Sequence, residues 1–101
     1  MFTAPLTISA SPTFYNPTMG TFVTLNCVVT SGTATSITWI RNNVILNINA
    51  NTRLTNGDVS TPSFSINNVQ QSDRGSYVCQ AADATGTIVN SNTITVTPQG
   101  M

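Results

Sequence analysis

The run Asp73-Arg74-Gly75-Ser76-Tyr77-Val78-Cys79 decides the fold, and the rest of the chain is read outward from it. Tyr77, Cys79 and Ala81 share one parity, opposed by Val78, Gln80 and Ala82, which is the alternation of a strand with one buried side. Cys27 lies 52 positions before Cys79, within Val23, Leu25, Cys27 and Val29, a second inward row; Trp39 follows Cys27 by twelve residues. Two cysteines on inward faces of separate strands could bridge two packed sheets, with Trp39 covering the sulfurs; a redox role is the remote alternative. Tyr77, two residues before Cys79, is placed to bond its hydroxyl to backbone just upstream, a close approach that Gly75 permits.

The same alternation recurs elsewhere. Leu6 and Ile8, then Ile37 with Trp39 and Arg41, Phe64 with Ile66, and Ile94 with Val96 each mark a short strand. No stretch of eleven or more residues carries an apolar stripe of helical period. Turn signals stand between the runs: Ser11-Pro12, Asn16-Pro17, Ser31-Gly32, Asn42-Asn43, Asn56-Gly57, Thr61-Pro62 and Thr85-Gly86. Asn56-Gly57 is the strongest signal for a type I′ hairpin, because both central residues of that turn need positive φ. Strands at roughly ten-residue spacing with turns between them predict a sandwich or barrel.

Composition agrees and excludes much. The chain has 101 residues, which predicts one domain spanning 1–101 with its core at about 5–98, Met1 heading an excised fragment and Pro98 to Met101 leading into a connection. Thr, Asn and Ser supply 40 residues and Thr alone 18, a wettable β-branched surface in place of Lys and Glu. Only 6% of residues are charged, Arg41, Arg53 and Arg74 against Asp58, Asp73 and Asp83, with a net charge of zero. No basic stripe exists to meet a phosphate backbone, so nucleic acid is excluded as a partner. With no His, Lys or Glu, the chain lacks the usual general bases and metal ligands; neither catalysis nor a cofactor is expected. No apolar run is long enough to span a membrane, and no direct membrane contact is expected of this stretch.

With Cys27, Trp39, Asp73-x-Gly75-x-Tyr77-x-Cys79 and at least seven alternating strands in view, the chain resembles the immunoglobulin superfamily, from about Pro5 to Pro98. The resemblance implies an all-β, Greek-key sandwich of two antiparallel sheets joined by one inter-sheet disulfide, Cys27 to Cys79, with Leu25 in the core. A bond closing 52 residues is worth roughly 4 kcal/mol in the chain-entropy model. It also implies strands A and A′ over Leu6 to Met19, B over Thr21 to Thr30, C over Ile37 to Arg41, C′ over Val44 to Ile48, D near Thr52 to Thr55, E over Ser63 to Asn67, F over Ser76 to Ala82 and G over Thr87 to Thr97. Arg53 matches the family's arginine near strand D, paired with Asp73, a variable-like feature; Ala82 to Gly86 is similar to intermediate-set domains. The glycine bulge that joins antigen-receptor variable domains is missing, since Thr85-Gly86-Thr87-Ile88 stands there.

The implied setting is an extracellular or cell-surface protein, an adhesion molecule or a receptor tyrosine kinase ectodomain; the Thr-rich, Lys-free composition suggests an invertebrate source. The apolar residues of outward parity mark where a protein partner would dock. Ile40 points away from Trp39 and Val78 away from Cys79, Ile45 and Leu46 of the C′ run are expected to join them, and Gln80 either borders or covers the patch. A recognition module with that face, pairing with a partner protein or forming a weak homodimer, is one expectation. A structural spacer is the other.

Overall fold

The computed structural model describes residues 5–46, 48 and 53–100. In chain order the strands are β1 (Thr7–Ser9), β2 (Phe14–Tyr15), β3 (Val23–Leu25), β4 (Val28–Ser31), β5 (Ser36–Arg41), β6 (Val44–Ile45), β7 (Leu54–Asn56), β8 (Phe64–Ile66), β9 (Gly75–Ala82), β10 (Ile88–Asn90) and β11 (Ile94–Val96). A single turn of 3-10 helix, Gln71–Asp73, precedes β9.

The large sheet runs β2-β11-β9-β5-β6, with β10 also on β9; a three-stranded sheet runs β3-β8-β7, and β1 pairs with β4. The alternation dictates what lies between them. Leu25, Phe64 and Ile66 from one side meet Trp39, Tyr77, Ile94 and Val96 from the other, all 0–1% exposed. The rings of Trp39 and Phe64 stand 5.0 Å apart at the centre, and Phe64 to Tyr77 is 5.9 Å. Trp39 donates its indole N–H to the carbonyl of Pro62 at 2.9 Å, so its one polar atom is satisfied inside an apolar layer. Cys27 and Cys79 are joined across the sheets, with Cα atoms 6.4 Å apart. The all-β sandwich with its inter-sheet disulfide is therefore the fold.

Four details depart from the sequence reading. Strand B is two pieces: β3 pairs with β8 and β4 with β1, and the break falls at Asn26-Cys27. There the Ser63 hydroxyl takes the Cys27 amide hydrogen at 3.0 Å and donates to the Cys27 carbonyl at 3.3 Å, standing in for a ladder partner. Strand G is likewise β10 and β11, both on β9, separated by Ser91 to Thr93. The sheets are not wholly antiparallel, because β2 runs parallel to β11, with Phe14 opposite Thr95 and Tyr15 opposite Val96.

The fourth concerns turns. The tight two-residue hairpin is at Asn42-Asn43, both of positive φ (50° and 68°), between Arg41 and its cross-strand partner Val44. Asn56 and Gly57 also have positive φ (63° and 77°), yet Asn56 still pairs with Phe64, so a longer loop joins β7 to β8. Gly57 turns inward instead: a Cβ there would lie 2.6 Å from Ile48 Cδ1, 2.9 Å from Trp39 Cδ1 and 3.0 Å from Phe64 Cβ. Among the described residues expected strand C′ shrinks to β6, and expected strand D is β7; Asn47 and Thr52 fall outside the described residues.

Candidate functional site

Four of the six charged residues, Arg41, Arg53, Asp73 and Arg74, gather around the turn that precedes β9. Arg53 meets Asp73 through two parallel hydrogen bonds, Nη1 to Oδ2 at 3.0 Å and Nη2 to Oδ1 at 3.1 Å. Nη1 also reaches the Asn68 carbonyl at 3.1 Å, and Asp73 Oδ2 accepts the Gln70 amide at 2.8 Å. The bonds to Asp73 hold the Arg53 guanidinium above its ordinary pKa, against a smaller opposing effect of burial. Tyr77 donates its hydroxyl to the Asp73 carbonyl at 2.5 Å. Burial, opposed by the nearby Arg41, pushes the phenol up to about 12.

Arg41 does not compete for the Asp73 carboxylate. Its guanidinium donates to the carbonyls of Ser72 and Arg74 and lies 5.9 Å from the centre of the Tyr77 ring. Gly75 makes its close approach to the Asn42 side chain, where a Cβ would lie 2.7 Å from Oδ1, while Asn42 Oδ1 accepts the Ser76 amide at 2.9 Å. All these groups bond to one another or to backbone. They form a structural clamp that locks the turn before β9 to the β5–β6 hairpin.

The opposite face of the large sheet is different. Register places Val78, Ile40 and Ile45 in one continuous outward row across β9, β5 and β6. Ile40 and Val78 are half-buried by their neighbours, whereas Ile45 at the edge is 72% exposed. A second row holds Asn90, Gln80 and Thr38, a third Ile88, Ala82 and Ser36, with Ile88 60% exposed. Gln80 donates to Asn90 Oδ1 at 2.9 Å, so it borders the aliphatic row rather than covering it. Leu46 is not part of this face: its amide bonds the Trp39 carbonyl at 2.8 Å, opposite Trp39, and its side chain packs against the core.

Two features of this face are placed by the structure alone. Phe14, opposite Thr95 and in the same row as Ser76, projects at 57% exposure. Beside it is a depression of about 370 Å³ floored by Ile40 and Val78 and rimmed by Asn42, Asn43, Ser76 and Thr93. None of the residues in these rows or around the depression carries a charge. Only the pairing of β2 with β11, some 80 residues on in sequence, reveals that Phe14 joins the face.

A larger recess of about 430 Å³ lies beside Trp39, between Leu46, Ile48 and Gly57, with Asp58 as its one ionisable lining residue. A lone carboxylate there has no partner acid or base. Among the described residues no group of three or more metal-ligating side chains converges. In the β9–β10 loop, Asp83 Oδ1 accepts the Thr85 hydroxyl at 2.7 Å and the amides of Thr85 and Thr87 at 3.0 Å each, which holds its carboxyl below the usual range, the hydroxyl contributing most.

Residues 6–82 match the family model described as an immunoglobulin domain. Among solved structures the chain is similar to the tandem Ig repeats of Dlar, with a TM-score of 0.78 and 23% identity over 98% of this chain and 47% of that one. It is also similar to a Dscam structure bearing on isoform specificity (TM-score 0.74, 16% identity, 95% of this chain and 21% of that one). The N-terminal four Ig domains of Dscam1 isoform 6.9 give a TM-score of 0.73 at 15% identity, over 94% of this chain and 21% of theirs. The chain thus spans less than half the length of each of these. No curated protein matches it.

Proposed function

The chain belongs to the immunoglobulin domain family, and from that premise we propose that it is a non-catalytic recognition module of an extracellular, multidomain surface protein, binding another protein through the outward face of its large sheet. The observation that carries this reading is the uncharged row Val78-Ile40-Ile45 with Phe14 beside it, apolar groups rimmed by Thr, Ser and Asn. Such a rim around an aliphatic centre is the make-up of a protein contact. The disulfide supports an oxidising, extracellular setting. The long Ig-repeat chains it is similar to support a place within a larger array.

The finer reading is that the partner is a second copy. Phe14 projects and the Ile40/Val78 depression recedes on the same face, about 12–16 Å apart by strand spacing and rise. A two-fold axis in the plane of that face, bisecting the line between them, seats each Phe14 in the other copy's depression. With no charge on either side, no like-charge contact opposes it.

Sedimentation of the oxidised domain over about three decades of concentration, micromolar to millimolar, tests this. The wild type is expected to gain mass with concentration, and Ile45→Asp and Phe14→Ser to remain monomeric with unchanged unfolding. A wild type that stays monomeric throughout removes the homophilic reading.

A structural spacer is the second reading, and strand placement favours it. The chain enters beside Ser31, near the Ala82 end of β9, and leaves through Val96 and Gln99 near the Gly75 end. Entry and exit at opposite poles suit tandem stringing of domains. A monomer of unaltered stability in every face variant is the result this reading expects.

A further inference from the structure

Asn56 precedes Gly57, and glycine, having no Cβ, leaves its amide nitrogen open to reach the preceding side chain. In the folded domain this approach is closed. The Gly57 N–H is shared between the carbonyls of Thr61 at 2.9 Å and Ser63 at 3.1 Å. Gly57 is buried with its Cα against Ile48, Trp39 and Phe64, in space that would not admit even a methyl group. Asn56 itself is exposed and held in β7 opposite Phe64.

We propose that Asn56-Gly57 is a self-modification site that the fold holds shut, so that the unfolded chain loses ammonia here and the folded domain does not. The Gly57 nitrogen, its proton removed by solvent hydroxide, attacks Asn56 Cγ. A new C–N bond forms, and the side-chain nitrogen takes a proton and departs as ammonia, leaving a five-membered imide. Water then adds to one of the two imide carbonyls and breaks one C–N bond. The product is aspartate, or isoaspartate with an extra methylene in the main chain. No oxidant or cofactor is required.

Each element of the folded geometry opposes the first step. The proton to be removed lies between two carbonyls and away from solvent, and the nitrogen cannot advance on Cγ without lifting Gly57 off Trp39. The isoaspartate product cannot return, because the added methylene displaces the one backbone position that must fit against the indole. The site therefore records irreversibly the time that this end of the domain spends open.

The test compares the oxidised domain with the reduced, alkylated chain in the same mildly alkaline buffer. The tryptic peptide from Leu54 to Arg74 contains Asn56 together with Asn67 and Asn68 as internal controls. The reduced chain is expected to exchange NH2 for OH at Asn56 ahead of both controls, giving aspartyl and isoaspartyl peptides. The oxidised domain is expected to react roughly a hundredfold more slowly or less, through its opened fraction alone. Equal rates in the two forms, or a reduced chain in which Asn56 reacts no faster than Asn67 and Asn68, overturn the proposal. For the irreversible step, chain carrying isoaspartate at position 56, reduced without alkylation and reoxidised, is expected not to recover buried Trp39 fluorescence, while Asn56→Asp does. Recovery by both overturns it.

Discussion

The hydroxyl of Ser91 accepts the amide hydrogen of Cys79 at 3.0 Å, inside the sandwich, and passes its own hydrogen to the Asn92 carbonyl at 2.9 Å. Ser63 does the same for Cys27 in the other sheet. Both half-cystines thus sit where a strand ladder is interrupted, and a serine restores the missing bond.

Ser91→Ala leaves a buried amide without a partner, and so does Ser63→Ala. Each is expected to destabilise the domain by about 1–3 kcal/mol, Ser91→Ala the more because its bond is the deeper. Urea unfolding of the oxidised variants measures it; a change within error for both would show that water replaces the hydroxyls.

Gly57→Ala and Gly86→Ala separate space from backbone. Both residues have positive φ, 77° and 90°, but only Gly57 would press a methyl group into Trp39, Ile48 and Phe64; nothing lies within 4 Å at Gly86. Gly86→Ala is expected to cost about 1–2 kcal/mol from the left-handed backbone alone. Gly57→Ala should add about 1–3 kcal/mol of overpacking and shift the Trp39 emission.

The Arg53–Asp73 pair should be strongly non-additive. Asp73 is 6% exposed, so Arg53→Met strands a buried carboxylate and is expected to cost about 3–5 kcal/mol. Asp73→Asn with Arg53→Met together should cost less than the two single losses summed. A double-mutant cycle in urea reads the coupling, and simple additivity would count against the clamp.

Tyr77 gives the domain an alkaline limit. Its folded pKa, about 12, lies above the ordinary phenol value of 10.0, so the unfolded chain releases this proton first. Stability from this group is complete below about pH 10 and falls between pH 10 and 12 as the unfolded chain ionises. Tyr77→Phe is expected to lose about 1 kcal/mol at neutral pH through the missing bond to Asp73, and to flatten that alkaline decline.

Much of the framework is legible because it is local. Period-two alternation places Leu25, Trp39, Phe64, Tyr77 and Ile94 inward, and all are buried. What escapes is set by contacts distant in sequence. Nothing near Cys27 announces that Ser63, 36 residues on, will take its amide and end the strand. The apolar run Val44-Ile45-Leu46 has no parity of its own; the bond from Leu46 to the Trp39 carbonyl assigns Ile45 outward and Leu46 inward. At Asn56-Gly57 the positive φ follows from residue type, whereas the longer loop follows from Gly57 packing onto Trp39.

The uncharged outward face bears on kinetics as well as affinity. Under the proposed docking at this face, whose own residues carry no charge, encounter is expected at the unsteered rate, about 10⁵–10⁶ M⁻¹s⁻¹, with little change between low and high salt. Discrimination among such proposed partners would rest on dissociation, that is, on how well Phe14, Ile40 and Ile45 find complementary shapes. A surface of that kind would select its partner by fit after contact, not by attraction before it.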